Sequence, residues 1–384
     1  MKIDPYFNDF LSNIRLTSSQ RADLITGHTT LRKRLLADED LKDIIISTFL
    51  QGSYRRSTAV RPLNGKRADV DVIIVTNLDR DSVTPEEAIE IFIPFVKKHY
   101  DGKYEIQGRS IGIELSYVDL DIVITSAPSE VDKAALQSNS VVSNLMLEDF
   151  TPTYEWRLSK GWVEPDLLKS NVYLSEAVKS ESEWKTSPLW IPDREAEQWD
   201  QTHPLEQISW TRDKNKNTNK HFVNVVKALK WWRTLKLTTL KYPKGYPIEH
   251  MIGDCCPNGI SSVADGISKT LEGIVDAYYI DHLLNRTPTL PDRGVPEHDV
   301  WKRVSVEDFK SFYDSVKEYS NIAKEAIEAD RLKDQVDKWR QIFGDKFPPY
   351  DDDDDDGSEK NSINPSGGFT PRKESSDVES GRFA

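Results

Sequence analysis

Residues 68–75 read Ala68-Asp69-Val70-Asp71-Val72-Ile73-Ile74-Val75, and this run decides the fold. Side chains alternate across a strand, so Asp69 and Asp71 share one face. Carboxylates that lead an otherwise buried strand need cations beside them, because an unpaired buried charge is costly. Upstream, residues 43–50 (DIIISTFL) form a second β-rich run, followed by Gln51-Gly52-Ser53-Tyr54 and a polar loop containing Pro62, Asn64 and Gly65. Downstream, residues 113–125 (IELSYVDLDIVIT) form a third, with Asp119 and Asp121 on one face and Val118, Leu120, Ile122 and Ile124 on the other. A neighbouring strand can thus bring a further carboxylate to the first pair.

These pieces share a physical use. Glycine lets the backbone approach a phosphate, and a serine hydroxyl with exposed backbone N–H groups can cradle its oxygens, so a turn at Gly52 and Ser53 has the parts to hold one. Two carboxylates at i and i+2, joined by a third, can hold two divalent cations. Such ions lower the pKa of an attacking hydroxyl and neutralise charge on a leaving pyrophosphate. A Gly-Ser pair, or an Asp-x-Asp in a chain with 64 acidic residues, means little alone. In this order they point to metal-dependent phosphoryl transfer, with Asp69, Asp71 and one of Asp119 and Asp121 as ligands.

A helix is expected over residues 18–38, capped by Ser18 or Ser19 and carrying Leu24, Ile25, His28, Leu31, Leu35 and Leu36 at helical spacing. With another at about 85–99 it completes a mixed α/β lobe over residues 1–150. From about residue 155 the chain becomes tryptophan-rich and helical, most clearly over 222–237, 260–284 and 306–343, giving a mainly helical lobe over 151–350. In the first of these helices Phe222, Val225, Val226, Leu229 and Trp232 face the core, with Lys230 at the stripe's edge and Lys220 and Lys227 opposite. An edge lysine can bury its stem and turn its ammonium into a cleft. Residues 351–384 open on six aspartates and hold too little apolar surface to offset the entropy of ordering, so a disordered acidic tail is expected.

The length of 384 residues suits two lobes with a cleft between them. Net charge is −13, and residues 351–384, with ten acids and four bases, supply nearly half of it. The mildly acidic body argues against coating long nucleic acid, which scales with the number of paired cations. Cys255 and Cys256 are adjacent, which excludes a disulfide framework, and His250 beside them lacks a fourth ligand for structural zinc. Residues 1–10 (MKIDPYFNDF) are not a secretory signal, and no apolar run approaches ~18 residues. A soluble, cytoplasmic protein without membrane contact is expected.

The sequence resembles the cGAS/DncV-like nucleotidyltransferases, or CD-NTases, of bacterial anti-phage signalling systems. The resemblance rests on QGSYRRSTAVRP at 51–62, ADVDVIIV at 68–75 and VDLDIVITSAP at 118–128. It continues through LWIPDREAEQW at 189–199, NKHFVNVVKALKWWR at 219–233 and WRQIFGDKFP at 339–348. It implies an α+β fold in which a polymerase-β-like nucleotidyltransferase lobe packs on a mainly helical lobe. It also implies two Mg2+ ions, with Mn2+ as an alternative, and ribonucleoside triphosphates, ATP among them, as substrates.

Carried over by residue, Gly52 and Ser53 match the triphosphate turn, and Asp69 and Asp71 match the first two metal ligands. Asp121 matches the third better than Asp119, because the family's acid precedes two apolar residues. Lys230 looks like the family's triphosphate lysine. Tyr246 matches the aromatic of a Ser-aromatic pair that holds a base, although Gly245 replaces the serine. Some relatives work with a ubiquitin-transferase-like enzyme that conjugates their C-terminus, and Phe383-Ala384 resembles such an ending, with Ala384 as the conjugated residue.

The reading is a cyclic oligonucleotide synthase that joins ribonucleotides into a cyclic di- or trinucleotide messenger and releases pyrophosphate. Transfer of a nucleotide to a protein, an RNA end or a small molecule is the rival chemistry. A regulatory protein working through its tail is the rival class.

Overall fold

The computed structural model describes residues 3–63, 65–127 and 188–351. Its first half runs α1 (Asp4–Ile14), α2 (Ser18–Leu36), β1 (Ile45–Gln51), α3 (Gly52–Arg55), β2 (Asp69–Thr76), α4 (Pro85–Glu90), α5 (Ile93–Tyr100), β3 (Tyr104–Ile106), β4 (Ile111–Glu114) and β5 (Asp119–Ser126). There follow β6 (Leu189–Asp193), β7 (Gln198–Thr202), α6 (Pro204–Asn217), α7 (Phe222–Lys236), α8 (Tyr246–Cys255), α9 (Val263–Ala277), α10 (Tyr279–Leu283), α11 (Val306–Glu328) and α12 (Leu332–Phe343).

The sheet has the order β1-β2-β5-β4-β3, with β6 on β5 and β7 on β6. Only β2 and β5 among these pairs run parallel, in a register that sets Asp69 beside Asp119 and Asp71 beside Asp121. Alternation then divides the two central strands between two cores. Val70, Val72, Ile74, Leu120, Ile122 and Ile124 pack with Leu24, Leu31 and Leu35 of α2 and with Phe92, Phe95 and Val96 at α5. On the other face Ile73, Val75 and Val123 pack with Ile46 and Leu189. Asp69, Asp71 and Asp121 lie on this second face, ahead of its apolar residues, where β2 and β5 begin.

Several boundaries differ from those read in the sequence. The 113–125 run, expected as one strand, is the end of β4, a turn and most of β5, the turn being closed where the Leu115 N–H donates to the Val118 carbonyl at 3.0 Å. The helix expected at 85–99 is two helices, because Pro94 near the start of α5 lacks the N–H that would continue the ladder. Thr17, rather than Ser18 or Ser19, caps α2, in a capping box with Gln20. The runs 260–284 and 306–343 each break into two helices.

Two segments also pack across residue 150. Helix α1 lies against the later helices, with the rings of Phe7 and Trp339 centred 5.0 Å apart and those of Phe10 and Phe343 4.4 Å apart. Strands β6 and β7 belong to the sheet. The described residues up to Pro349 cluster as one unit, so the sheet and these helices form walls of shared cavities. The tail expected to be disordered, 351–384, lies outside the described residues beyond Asp351. No described helix is long and apolar enough to cross a membrane.

Candidate active site

Three carboxylates begin the site. Gln51, the last residue of β1, pairs with Asp71, and Gly52 turns the chain away into α3 at φ +75°. Asp71 and Asp121 sit side by side on parallel strands, which lie about 4.8 Å apart. Burial, followed by the charge of Asp69, pushes the Asp71 carboxyl up to about 6. Burial, followed by the charges of Asp71, Asp69 and Asp119, pushes Asp121 up to about 7. Asp71 and Asp121 thus resist ionisation first because they are buried and then because other carboxylates lie near them. Asp119 is placed differently: it accepts from Arg67 Nε at 2.6 Å, and Arg67 also pairs with Glu114 at 3.1 Å.

The donor set suits a hard divalent cation, since it offers carboxylate oxygens whose mutual repulsion such an ion relieves. Among the described residues no three Asp, Glu, His or Cys side chains already surround one point. A cation would have to draw the three carboxylates in from their present rotamers.

A cavity of about 580 Å³ opens beside them, lined by Gly52, Ser53, Asp69, Asp71, Lys230 and Tyr246 among others. The structure therefore brings six of the residues read from the sequence to one space, with Asp121 adjoining Asp71. Helix α7 supplies Lys230 from the edge of its buried stripe, and Phe222, Val225, Val226, Leu229 and Trp232 are all buried as expected. Lys227, expected opposite that stripe, is instead half-buried. Burial, followed by the charges of Arg15, Arg21 and Lys230, holds its ammonium well below the usual lysine range.

Lys230 Nζ donates to Glu249 Oε1 at 2.7 Å. Glu249 Oε2 accepts from Arg56 Nε at 3.1 Å and Thr58 Oγ1 at 2.9 Å. Glu249 is only 6 % exposed, and burial alone would raise its pKa, but Arg56 and Lys230 outweigh that and hold it at about 2. The Arg56 guanidinium also lies 5.0 Å from the centre of the Tyr246 ring. Gly245 has φ +63°, a conformation in which a serine would be strained, so glycine at this position has a backbone cause. Tyr246, with Thr202, Gln207 and Gly245, also lines a second cavity of about 640 Å³ that carries Lys244, Lys302 and Arg303.

Arg56, Thr58 and Glu249 were not singled out from the sequence. Arg56 lies within the 51–62 block, but nothing local marks Glu249, which is joined to it only by folding. Cys255 and Cys256 are free thiols near the end of α8, with no metal group around them among the described residues. Ala384 lies outside the described residues.

Residues 1–126 match the family model of the Second Messenger Oligonucleotide or Dinucleotide Synthetase domain. The chain is 45% identical to a cyclic AMP-AMP-GMP synthase of Enterobacter hormaechei subsp. hoffmannii, covering all of both chains. It is 43% identical to a probable cyclic AMP-AMP-GMP nucleotide synthase of Salmonella paratyphi B, again over the whole of both. A solved structure of the Vibrio cholerae di-nucleotide cyclase DncV with ATP and GTP has a similar fold, with TM-score 0.60 and 14% identity over 90% of this chain and 96% of that one.

Proposed function

The chain belongs to the cGAS/DncV-like nucleotidyltransferase family of cyclic oligonucleotide synthases, and from that premise we propose that its cavity joins ATP and GTP into a cyclic trinucleotide of two adenylates and one guanylate. The relatives at 45% and 43% identity support the choice of bases and ring size. The observation that carries the site assignment is the register pair Asp71 and Asp121, set beside a cavity that also holds Asp69, Lys230 and Tyr246.

Asp69, Asp71 and Asp121 would hold two magnesium ions, which when bound would lower the pKa of the attacking ribose hydroxyl and offset charge on the leaving pyrophosphate. Gly52 and Ser53 seat the triphosphate at the turn after β1, and Lys230 supplies a cation to it from α7. Tyr246 stacks a base, a contact worth roughly 1–3 kcal/mol and tolerant of base identity. Asp121 stands nearest the attacking hydroxyl and takes its proton. The hydroxyl oxygen bonds to the α-phosphorus as the bond to the β-phosphate oxygen breaks, releasing pyrophosphate. Repetition with fresh donors, and a last attack within the linear product, closes the ring.

Mass spectrometry of products from purified protein with magnesium and the four ribonucleotides tests this reading. A cyclic product containing two adenylates and one guanylate is expected, and omission of GTP should abolish it. A ring of another composition would overturn the product assignment. Failure to consume any nucleotide would overturn the function.

A further inference from the structure

Glu249 is a carboxylate where packing alone would be served by an apolar side chain. A buried ion pair gives up hydration, and replacing one by apolar residues is often neutral or stabilising. Yet Glu249 gathers partners from separate parts of the chain. Arg56 and Thr58 follow α3, and Lys230 comes from α7, while Glu249 itself is on α8. Arg56 and Lys230 both line the cavity, as does Glu249.

We infer that Glu249 is a positioning residue, which acts on the nucleotide by fixing Lys230 and Arg56 rather than by touching substrate. This rests on the reading of the cavity as the nucleotide site. A lysine ammonium on its four-carbon stem has many rotamers and loses entropy when it must meet a phosphate. The 2.7 Å bond to Glu249 Oε1 removes that freedom before substrate arrives. The other oxygen holds the Arg56 guanidinium, which lies over Tyr246 at 5.0 Å. One carboxylate therefore ties the cation facing the triphosphate to the ring facing the base. Two cations against one carboxylate leave a net positive charge, which suits an anionic ligand. Thr58, only 1% exposed, donates to the carboxylate that Arg56 also holds, so the group has little freedom of its own.

A mutant cycle in the full-length protein separates positioning from mere stability. Glu249→Gln, Lys230→Ala, the double variant and wild type are compared for kcat and KM with ATP, and for melting temperature. Glu249→Gln is expected to raise KM and lower kcat/KM by about ten-fold or more. In the Lys230→Ala background the same change should cost less than about three-fold, because one of the two cations through which it acts is gone and only Arg56 remains to be displaced. Equal losses in both backgrounds, or wild-type kinetics in Glu249→Gln, would overturn the inference. Glu249→Asp, which keeps the charge and shortens the reach, is read by the same criteria if Glu249→Gln does not fold. An inactive wild-type protein would instead overturn the nucleotide reading, and this inference with it.

Discussion

A side chain at residue 52 would meet Asp71 at once: a Cβ built on Gly52 lies 1.7 Å from Asp71 Oδ2. Residue 52 also holds φ +75°, a region that L side chains rarely adopt. The turn proposed to seat the triphosphate and a proposed metal ligand are thus packed into one space. Gly52→Ala should displace the Asp71 carboxylate and lower turnover by about a hundred-fold, since misplacing a reacting group by about 1 Å costs on that scale. Steady-state kinetics and circular dichroism check this together. Near-wild-type turnover would show that the contact is relieved without consequence.

The acids at 119 and 121 should differ sharply. The Asp119 side chain is 36% exposed and paired with Arg67, whereas Asp121, also half-buried, sits beside Asp71. Asp121→Asn should therefore abolish pyrophosphate release, while Asp119→Asn leaves it within a few-fold and changes stability by no more than about 1 kcal/mol. The reverse ranking would move the third ligand to Asp119.

Magnesium should stabilise the protein more at pH 8 than at pH 5.5. The folded pKa values of Asp71 and Asp121 are raised to about 6 and about 7, from 3.8 for the unfolded group. Between pH ~4 and ~7 the folded state binds more protons at these sites, so they weaken the metal-free fold as pH rises through that window. His28 works oppositely: burial, followed by the charge of Arg32, lowers it to about 4, so its neutral form favours folding as pH rises. The clean readout is therefore the melting-temperature difference between magnesium and chelator at each pH. That difference should grow through pH 6–7, where protons cease to compete for the carboxylates. A gain independent of pH would separate the ion from Asp71 and Asp121.

The carboxylate site was legible because strand parity is a local rule: it puts Asp69 and Asp71 on one face whatever the rest of the chain does. Asp121 needed only a neighbouring strand in parallel register, and the apolar run after it supplied one. Lys230 was singled out by the family resemblance, and its place at the edge of the buried stripe of α7 agreed with that choice. The setting of Lys227 was not legible, because helical spacing cannot show that Arg15 and Arg21 approach the far side of α7. Helix α1 was missed for a similar reason, as Phe7 and Phe10 gain meaning only opposite Trp339 and Phe343. Glu249 was out of reach of any local pattern, since Arg56 and Thr58 are brought to it by the fold.

The most direct measurement is cyclic product formation from ATP and GTP with magnesium, by wild-type protein and by the Asp69→Asn, Asp71→Asn double variant, with melting temperature recorded for both. These substitutions remove the carboxylate charge and keep the shape, so the variant should remain folded while its metal site is lost. Product from the wild type and none from a folded double variant is the result expected. Wild-type turnover by the double variant would contradict the assignment of this site.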